Sequence, residues 1–183
     1  QLVYEWDRKA TVKLGWTQSG IRYDPDTVFY YPGSTQPVES TSLHYNGLKL
    51  QLHVDQLDSW SFPTQGYALT ATVEEGMSGN QYRNMRLSGR WALSRDAHIL
   101  NLGFNLGRDT LPSQCSSCNN PSNLFLGGFQ FMGAYRMAQL AGDQLIHAQA
   151  TYMYRLSDGG LLRQKSFVGL VGEVGDAWSQ DAS

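Results

Sequence analysis

The sequence lacks any apolar run near the roughly 20 residues that a membrane-spanning helix needs, which excludes a helical membrane protein. Charge is sparse as well. Charged residues make up 16% of the 183 positions, a low share for a soluble surface, and the formal net charge is −2. With no basic excess, nothing points to nucleic acid. Proline is scarce at 6 residues and cysteine is limited to 2. No secretory signal is recognisable, because the chain opens on Gln1-Leu2-Val3-Tyr4-Glu5-Trp6, which is already strand-like. Such an opening, without a starting Met, is expected of a fragment or a processed piece. Catalytic apparatus is missing too. There is no Gly-x-Ser-x-Gly nucleophile elbow, and no nucleophile, base or metal constellation on which an enzyme could stand.

What is present is glycine (19), aromatic residues (12%) and an alternation of apolar and polar positions. Leu48, Leu50, Leu52 and Val54 alternate with Lys49, Gln51, His53 and Asp55. The same period of two runs through Ala10–Trp16, Tyr67–Val73, Met85–Leu93, His98–Leu106, Ile146–Leu156 and Val168–Val174. This predicts an all-β, antiparallel chain of about eight strands, most of them about 9–12 residues long, the length a tilted strand needs to cross a bilayer. Short turns are expected at Arg8-Lys9, Ser94-Arg95-Asp96 and Ser157-Asp158-Gly159-Gly160, and long connections over 33–40 and 108–143. Short turns on one side and long loops on the other is the arrangement of an outer-membrane barrel. Tyr4, Trp6, Trp16, Tyr67, Trp91, Tyr152 and Tyr154 lie near strand ends, as interfacial girdles do.

The alternation assigns faces. The lipid-facing set is expected to include Leu50, Leu52, Leu69, Val73, Leu87, Trp91, Leu100, Leu102, Phe104, Ile146, Ala150, Tyr152 and Leu170. Glu5, Lys13, Lys49, Asp55, Arg86, Arg90 and Glu173 fall on the opposite, lumen-facing set, while Glu74 and Glu75 are expected to end a strand and face water. His44, His53, His98 and His147 share no spacing and read as scattered single residues.

Two segments carry a family resemblance. Val54 to Tyr67 contains Asp55, Asp58, Phe62, Pro63 and Gly66, and resembles the periplasmic turn of the bacterial surface antigen barrels. Leu124 to Arg136 contains Gly127, Gly128, Phe129, Gly133, Tyr135 and Arg136, and resembles the long inward-folded loop of the same barrels. The continuation through Gln139–Gln144, Tyr152–Leu156 and Gly172–Trp178 is similar to the version found behind patatin-like phospholipase domains. The family's loop carries Arg-Gly before the aromatic, where this chain has Gly133-Ala134; only Arg136 stands nearby.

The resemblance implies a sixteen-stranded outer-membrane barrel of a Gram-negative bacterium, of which this chain supplies roughly the sixth to thirteenth strands. It implies a patatin-like domain upstream, outer-membrane lipid as the surrounding partner, and a role in anchoring, exporting or displaying that domain. Residues 1–183 then form a single partial barrel domain, with 108–143 as its inward loop. Its two open edges could be closed by a second copy, as a homodimer. No cofactor or metal is expected. The rivals are a soluble all-β binding module, such as a sandwich or lectin, and a general outer-membrane insertase or secretion pore.

Three local expectations follow. The loop from Leu126 to Arg136 should pack inside, against Asn101, Asn105, Thr151 and Glu173, with Arg136 seeking an acidic partner; a ninth strand or an extracellular lid is the alternative. Cys115 and Cys118, in the long loop, are expected to form a disulfide, with free thiols or a metal or redox pair as the other readings. Asp158-Gly159-Gly160 matches a patatin lipase element but lies between two strands, where Asp-Gly reads as a hairpin turn.

Overall fold

The computed structural model describes residues 2–6, 9–23, 41–77, 82–110, 124–128, 132–157 and 166–179. Within them every regular element is a β-strand: β1 (Leu2–Trp6), β2 (Ala10–Tyr23), β3 (Thr41–Asp55), β4 (Gly66–Gly76), β5 (Arg83–Arg95), β6 (His98–Thr110), β7 (Leu124–Leu126), β8 (Leu140–Gly142), β9 (Gln144–Ser157) and β10 (Ser166–Trp178). Eight of them form one antiparallel sheet in the order β1-β2-β3-β4-β5-β6-β9-β10, and β7 pairs with β8 in a separate hairpin. The sheet is open, with β1 and β10 at its edges.

Apart from the five residues of β1, the strands of this sheet run to 11–15 residues, and all but the 11 of β4 exceed the 9–12 read from the alternation. The alternation loses contrast where glycine and polar residues extend a strand, as at Gly15–Tyr23, so the pattern ends before the hydrogen bonding does. At about 3.3 Å per residue, such strands reach roughly 36–50 Å.

Register decides which residues share a face. One row across the sheet joins Tyr67, Trp91, Leu102, Ala150 and Gly172; another joins Leu14, Leu50 and Val73; a third joins Leu93, Leu100, Tyr152 and Leu170. Every residue assigned above to the apolar set falls on this one face. Lys13, Gln51, Thr72, Arg86, Gly107 and Leu145 trace a row of the other face, which also carries Glu5, Lys49, Asp55, Arg90 and Glu173. Among the described residues nothing covers the apolar face: Trp16, Leu50, Trp91, Leu102, Ile146 and Leu170 are all exposed. Gly89 sits beneath the Phe104 ring, where a Cβ would come 2.3 Å from Cε1, so the missing side chain makes room for its cross-strand aromatic neighbour.

The connections β1–β2, β3–β4, β5–β6 and β9–β10 lie at one end of the sheet; β2–β3, β4–β5 and the span from β6 to β9 lie at the other. Two of the three expected tight turns fall at the first of these ends. Lys9 N donates to Trp6 O at 3.1 Å, and Asp96-Ala97 reverses the chain between β5 and β6, with Asp96 at a φ of 55° that Asp tolerates. That second turn sits one to two residues later than Ser94-Arg95-Asp96. Ser157 ends β9, but Asp158-Gly159-Gly160 lies outside the described residues, and β10 begins only at Ser166.

Candidate functional site

The polar face is the only face of the sheet that other parts of the described chain cover. Residues 56–65 cover it at the short-turn end and the β7–β8 hairpin covers it at the opposite end. Between the 56–65 segment and the sheet lies a cavity of about 530 Å³, roofed by Ser61, Phe62 and Pro63. Thr70, Ser88, Arg90, Asn101, Gln149 and Thr151 are among its floor residues. A smaller cavity, about 210 Å³, lies between the hairpin residues Leu124, Phe125 and Leu126 and the sheet residues Arg86, Ser88, Asn105 and Leu145.

The 56–65 segment owes its shape to the residues singled out in sequence. Asp55 Oδ1 accepts from Leu57 N at 3.0 Å as the chain leaves β3. Asp58 then staples the far side of the segment: Oδ1 accepts from Thr64 N (2.8 Å) and Gln65 N (3.1 Å), and Oδ2 accepts from the Thr64 hydroxyl. Asp58 N donates to Gln65 O at 3.1 Å, and Gln56 N to Tyr67 O at 2.8 Å. Pro63 is buried, and Phe62 stacks on Phe167 of β10, with ring centroids 6.3 Å apart and planes 9° from parallel. What reads in sequence as a turn is a strap laid across the polar face as far as the last strand of the sheet.

The Thr64 hydroxyl bond, with the two backbone donors behind it, holds the Asp58 carboxyl below its ordinary value of 3.8. A carboxyl depressed in the folded state contributes stability above its unfolded pKa and loses it as pH falls through the folded one. Acidification below about pH 4 is therefore expected to loosen the strap, read by proteolytic nicking within 56–65 or by Trp60 fluorescence. Asp58→Asn should flatten that pH response; an unchanged response would move its origin elsewhere.

At the other end, β7 and β8 pair as Leu124↔Gly142, Phe125↔Ala141 and Leu126↔Leu140. Leu124 and Leu126 are buried, and a Cβ at Gly107 would stand 2.9 Å from Leu124 Cδ2, so the hairpin rests directly on β6. Gly127 and Gly128 adopt φ values of 120° and 103°, which other residues rarely take. A Cβ at Gly127 would come 2.1 Å from Arg136 O, and Gly128 N donates to Tyr135 O at 3.1 Å. The loop thus doubles back tightly on itself, as its glycines suggested.

Its partners differ from those expected. Glu173 Oε2 accepts from Gly133 N at 2.9 Å, so the acidic anchor is met by a backbone amide. Arg136 is exposed, its N–H donates to Gln139 Oε1 at 2.9 Å, and among the described residues it forms no ion pair. This corrects the expected pairing of Arg136 with Glu173, whose Oε2 is met by the Gly133 amide and whose Oε1 faces His147. Tyr135 keeps 38% of its surface exposed instead of packing against the wall. Asn105 does lie under the hairpin, but Asn101 and Thr151 line the other cavity, beneath the strap. The segment is neither a ninth strand of the main sheet nor detached from it.

Reading the sequence missed what surrounds Glu173. His147 is 1% exposed; its Nδ1 lies 3.1 Å from Asn105 Nδ2 and its Nε2 lies 3.8 Å from Glu173 Oε1. An Asn105 donor at Nδ1 makes that nitrogen the acceptor and leaves the proton on Nε2, facing the carboxylate. Two of the other histidines stand elsewhere: His53 Nδ1 meets Thr70 Oγ1 at 2.9 Å, and His98 is on the apolar face. Glu74 is not simply solvated, since Thr17 Oγ1 and Tyr82 Oη donate to its Oε1 at 3.0 and 2.8 Å; Glu75 is exposed and pairs with Arg83 at 2.6 Å. Asp109 is buried beside Arg86, whose Nη2 lies 4.0 Å from Oδ2.

Removing the carboxylate with Glu173→Ala is expected to speed hydrogen exchange at 132–139 about tenfold or more, since a hydrogen bond to a charged acceptor contributes about 1.5–3 kcal/mol. Unchanged exchange would mean that hairpin packing alone holds the loop.

Cys115, Cys118 and Phe129 lie outside the described residues. Among the described residues no three His, Cys, Asp or Glu gather as a metal site. The fold and site define a class: an open, all-β antiparallel sheet with one bare apolar face and one polar face beneath two covering segments. Compared with known families and curated proteins, the chain matches no family model and no curated protein.

Proposed function

We propose that this chain is part of an outer-membrane β-barrel of the bacterial surface antigen type, which anchors an attached patatin-like domain and helps to export or display it. One observation carries the membrane part of the reading. Among the described residues the apolar face runs on across the sheet, from the short β1 through seven long strands, and stays bare, whereas both covering segments lie on the polar face. A soluble protein rarely leaves a contiguous apolar surface of this extent in water. Hydrocarbon accommodates it, provided every backbone group pairs within the sheet. Strands of 11–15 residues supply the length with some to spare. Under this reading the strap and hairpin are plugs inside the lumen. The attached patatin-like domain rests on the resemblance of 124–136 and of 139–178 alone.

The test is depth-sensitive quenching by brominated acyl chains. In single-tryptophan versions of the full chain reconstituted in vesicles, Trp91 on the apolar face should be strongly quenched, and Trp60 on the strap only weakly. Resistance of the protein to urea extraction from membranes should accompany it. Equal, weak quenching of both residues with full urea extraction would favour the soluble sandwich, whose second sheet would cover this face.

A further inference from the structure

At the short-turn end the apolar face finishes in a row of different chemistry. Arg95 of β5, His98 of β6 and Tyr154 of β9 are register partners, so they project from the same face as Leu93, Leu100 and Tyr152 one row further in. His98 Nδ1 lies 2.6 Å from Tyr152 Oη, and the Tyr154 ring meets the imidazole edge-on, with centroids 5.1 Å apart and planes at 62°. The imidazole is thereby clamped between two phenols, and its Nε2 has no partner among the described residues. Arg95 is exposed and joins no ion pair among the described residues. Asp96, next in the chain after Arg95, sits at the tip of the turn; its carbonyl accepts from Arg155 Nη2 at 2.8 Å, and Arg155 belongs to the polar face. A guanidinium, an imidazole and two phenols thus meet where apolar surface gives way to the end of the sheet.

We propose that this corner binds the phosphate of an anionic phospholipid at the membrane boundary, an inference that rests on the membrane reading above. A guanidinium presents paired donors that match phosphate oxygens, and the ring nitrogen and hydroxyls add further donors beside it. Tyr and Trp settle at headgroup depth, and basic groups held there attract anionic lipid. The leucine rows next to the site, Leu93–Leu100 and Leu170, receive the acyl chains of the same molecule. A free phosphate ion would have no use for them.

Trp91 stands four residues before Arg95 on β5 and reports on lipid at this corner. The full chain, with Trp6, Trp16, Trp60 and Trp178 changed to Phe, is reconstituted in phosphatidylcholine vesicles containing 20%, by design about one lipid in five, of brominated phosphatidylglycerol or of brominated phosphatidylcholine. The expected result is quenching of Trp91 as if phosphatidylglycerol were enriched about threefold at the protein surface. The double variant Arg95→Gln, His98→Gln should bring the two lipids to equality, while Arg95→Lys keeps most of the preference. Equal quenching by the two lipids in the parent chain overturns the proposal, and that arm needs no variant to fold. So does a preference that survives in the folded double variant, or one that inorganic phosphate removes when chloride at the same ionic strength does not, which would make the site one for a free anion. Quenching by neither lipid would overturn the membrane reading itself, a different failure from equal quenching by both.

Discussion

Leu102→Arg is expected to lower the stability of the bilayer-folded chain by about 2–4 kcal/mol, the cost of a cation on the lipid face near the midplane. Leu102 lies well inside β6 (His98–Thr110), between Trp91 of β5 and Ala150 of β9 in one register row. Neither of these two neighbours offers a side-chain oxygen to receive a guanidinium. The neighbouring position supplies the control. Asn101 projects from the opposite face into the cavity of about 530 Å³, which has room for a longer side chain, so Asn101→Arg should cost less than about 1 kcal/mol. Urea unfolding in vesicles, followed by tryptophan fluorescence, measures both. Leu102 is already 39% exposed in the isolated sheet, so in water the same substitution would be nearly neutral. A small effect at Leu102, or an equal effect at the two positions, would sink the assignment of this face to lipid.

The two faces were legible in the sequence because alternation is a local property. Once Leu48–Val54 and His98–Leu106 are read as strands, every side chain has a face, and hydrogen-bonded register then aligns those faces across the sheet. The sorting of connections was legible only in part: the turns after β1 and β5 are tight, but the ten residues between β3 and β4 at the same end outnumber the six between β4 and β5 at the other. Contacts made across strands were not legible. His147, Asn105 and Glu173 lie on three different strands and meet only because β6 pairs with β9 across the whole inserted hairpin. No spacing within the chain announces that. The loop contact with Glu173 was anticipated, but through the wrong group, because a charged side chain suggests itself as a partner more readily than the amide of Gly133. The strap failed to show for a different reason. Its motif residues say that 55–66 is tightly held, and the internal bonds of Asp58 account for that, but the direction in which a rigid turn leans depends on what it can stack against. Phe167, far along the chain, supplies the answer.

That rigidity makes Gly66 the position where a single methyl group should do most harm. Gly66 begins β4 with a φ of 105°, outside the regions open to other residues, and a Cβ there would come 2.0 Å from Gln56 O and 2.8 Å from Gln56 C. Neither obstacle is the end of a flexible side chain. Gln56 is fixed by its own bond to Tyr67 O at 2.8 Å, so backbone must move if Gly66 becomes alanine. The backbone strain alone costs about 1–3 kcal/mol, and the steric conflict adds to it. The sheet pairing of β3 with β4 continues well beyond this point, from Asp55↔Ala68 to Gly47↔Gly76, so the damage should stay local. Gly66→Ala is expected to release the strap: the Phe62–Phe167 stack opens, proteolysis within 56–65 accelerates by about tenfold or more, and the strands remain folded. Gln65→Ala is the matched control, because Gln65 serves the strap through its backbone N–H to Asp58 Oδ1 and its carbonyl to Asp58 N, both of which alanine retains. Equal protease resistance of the two variants would mean that the 55–66 motif does not set the strap. Loss of the whole sheet in Gly66→Ala would mean instead that the strap is needed for β3 and β4 to pair at all.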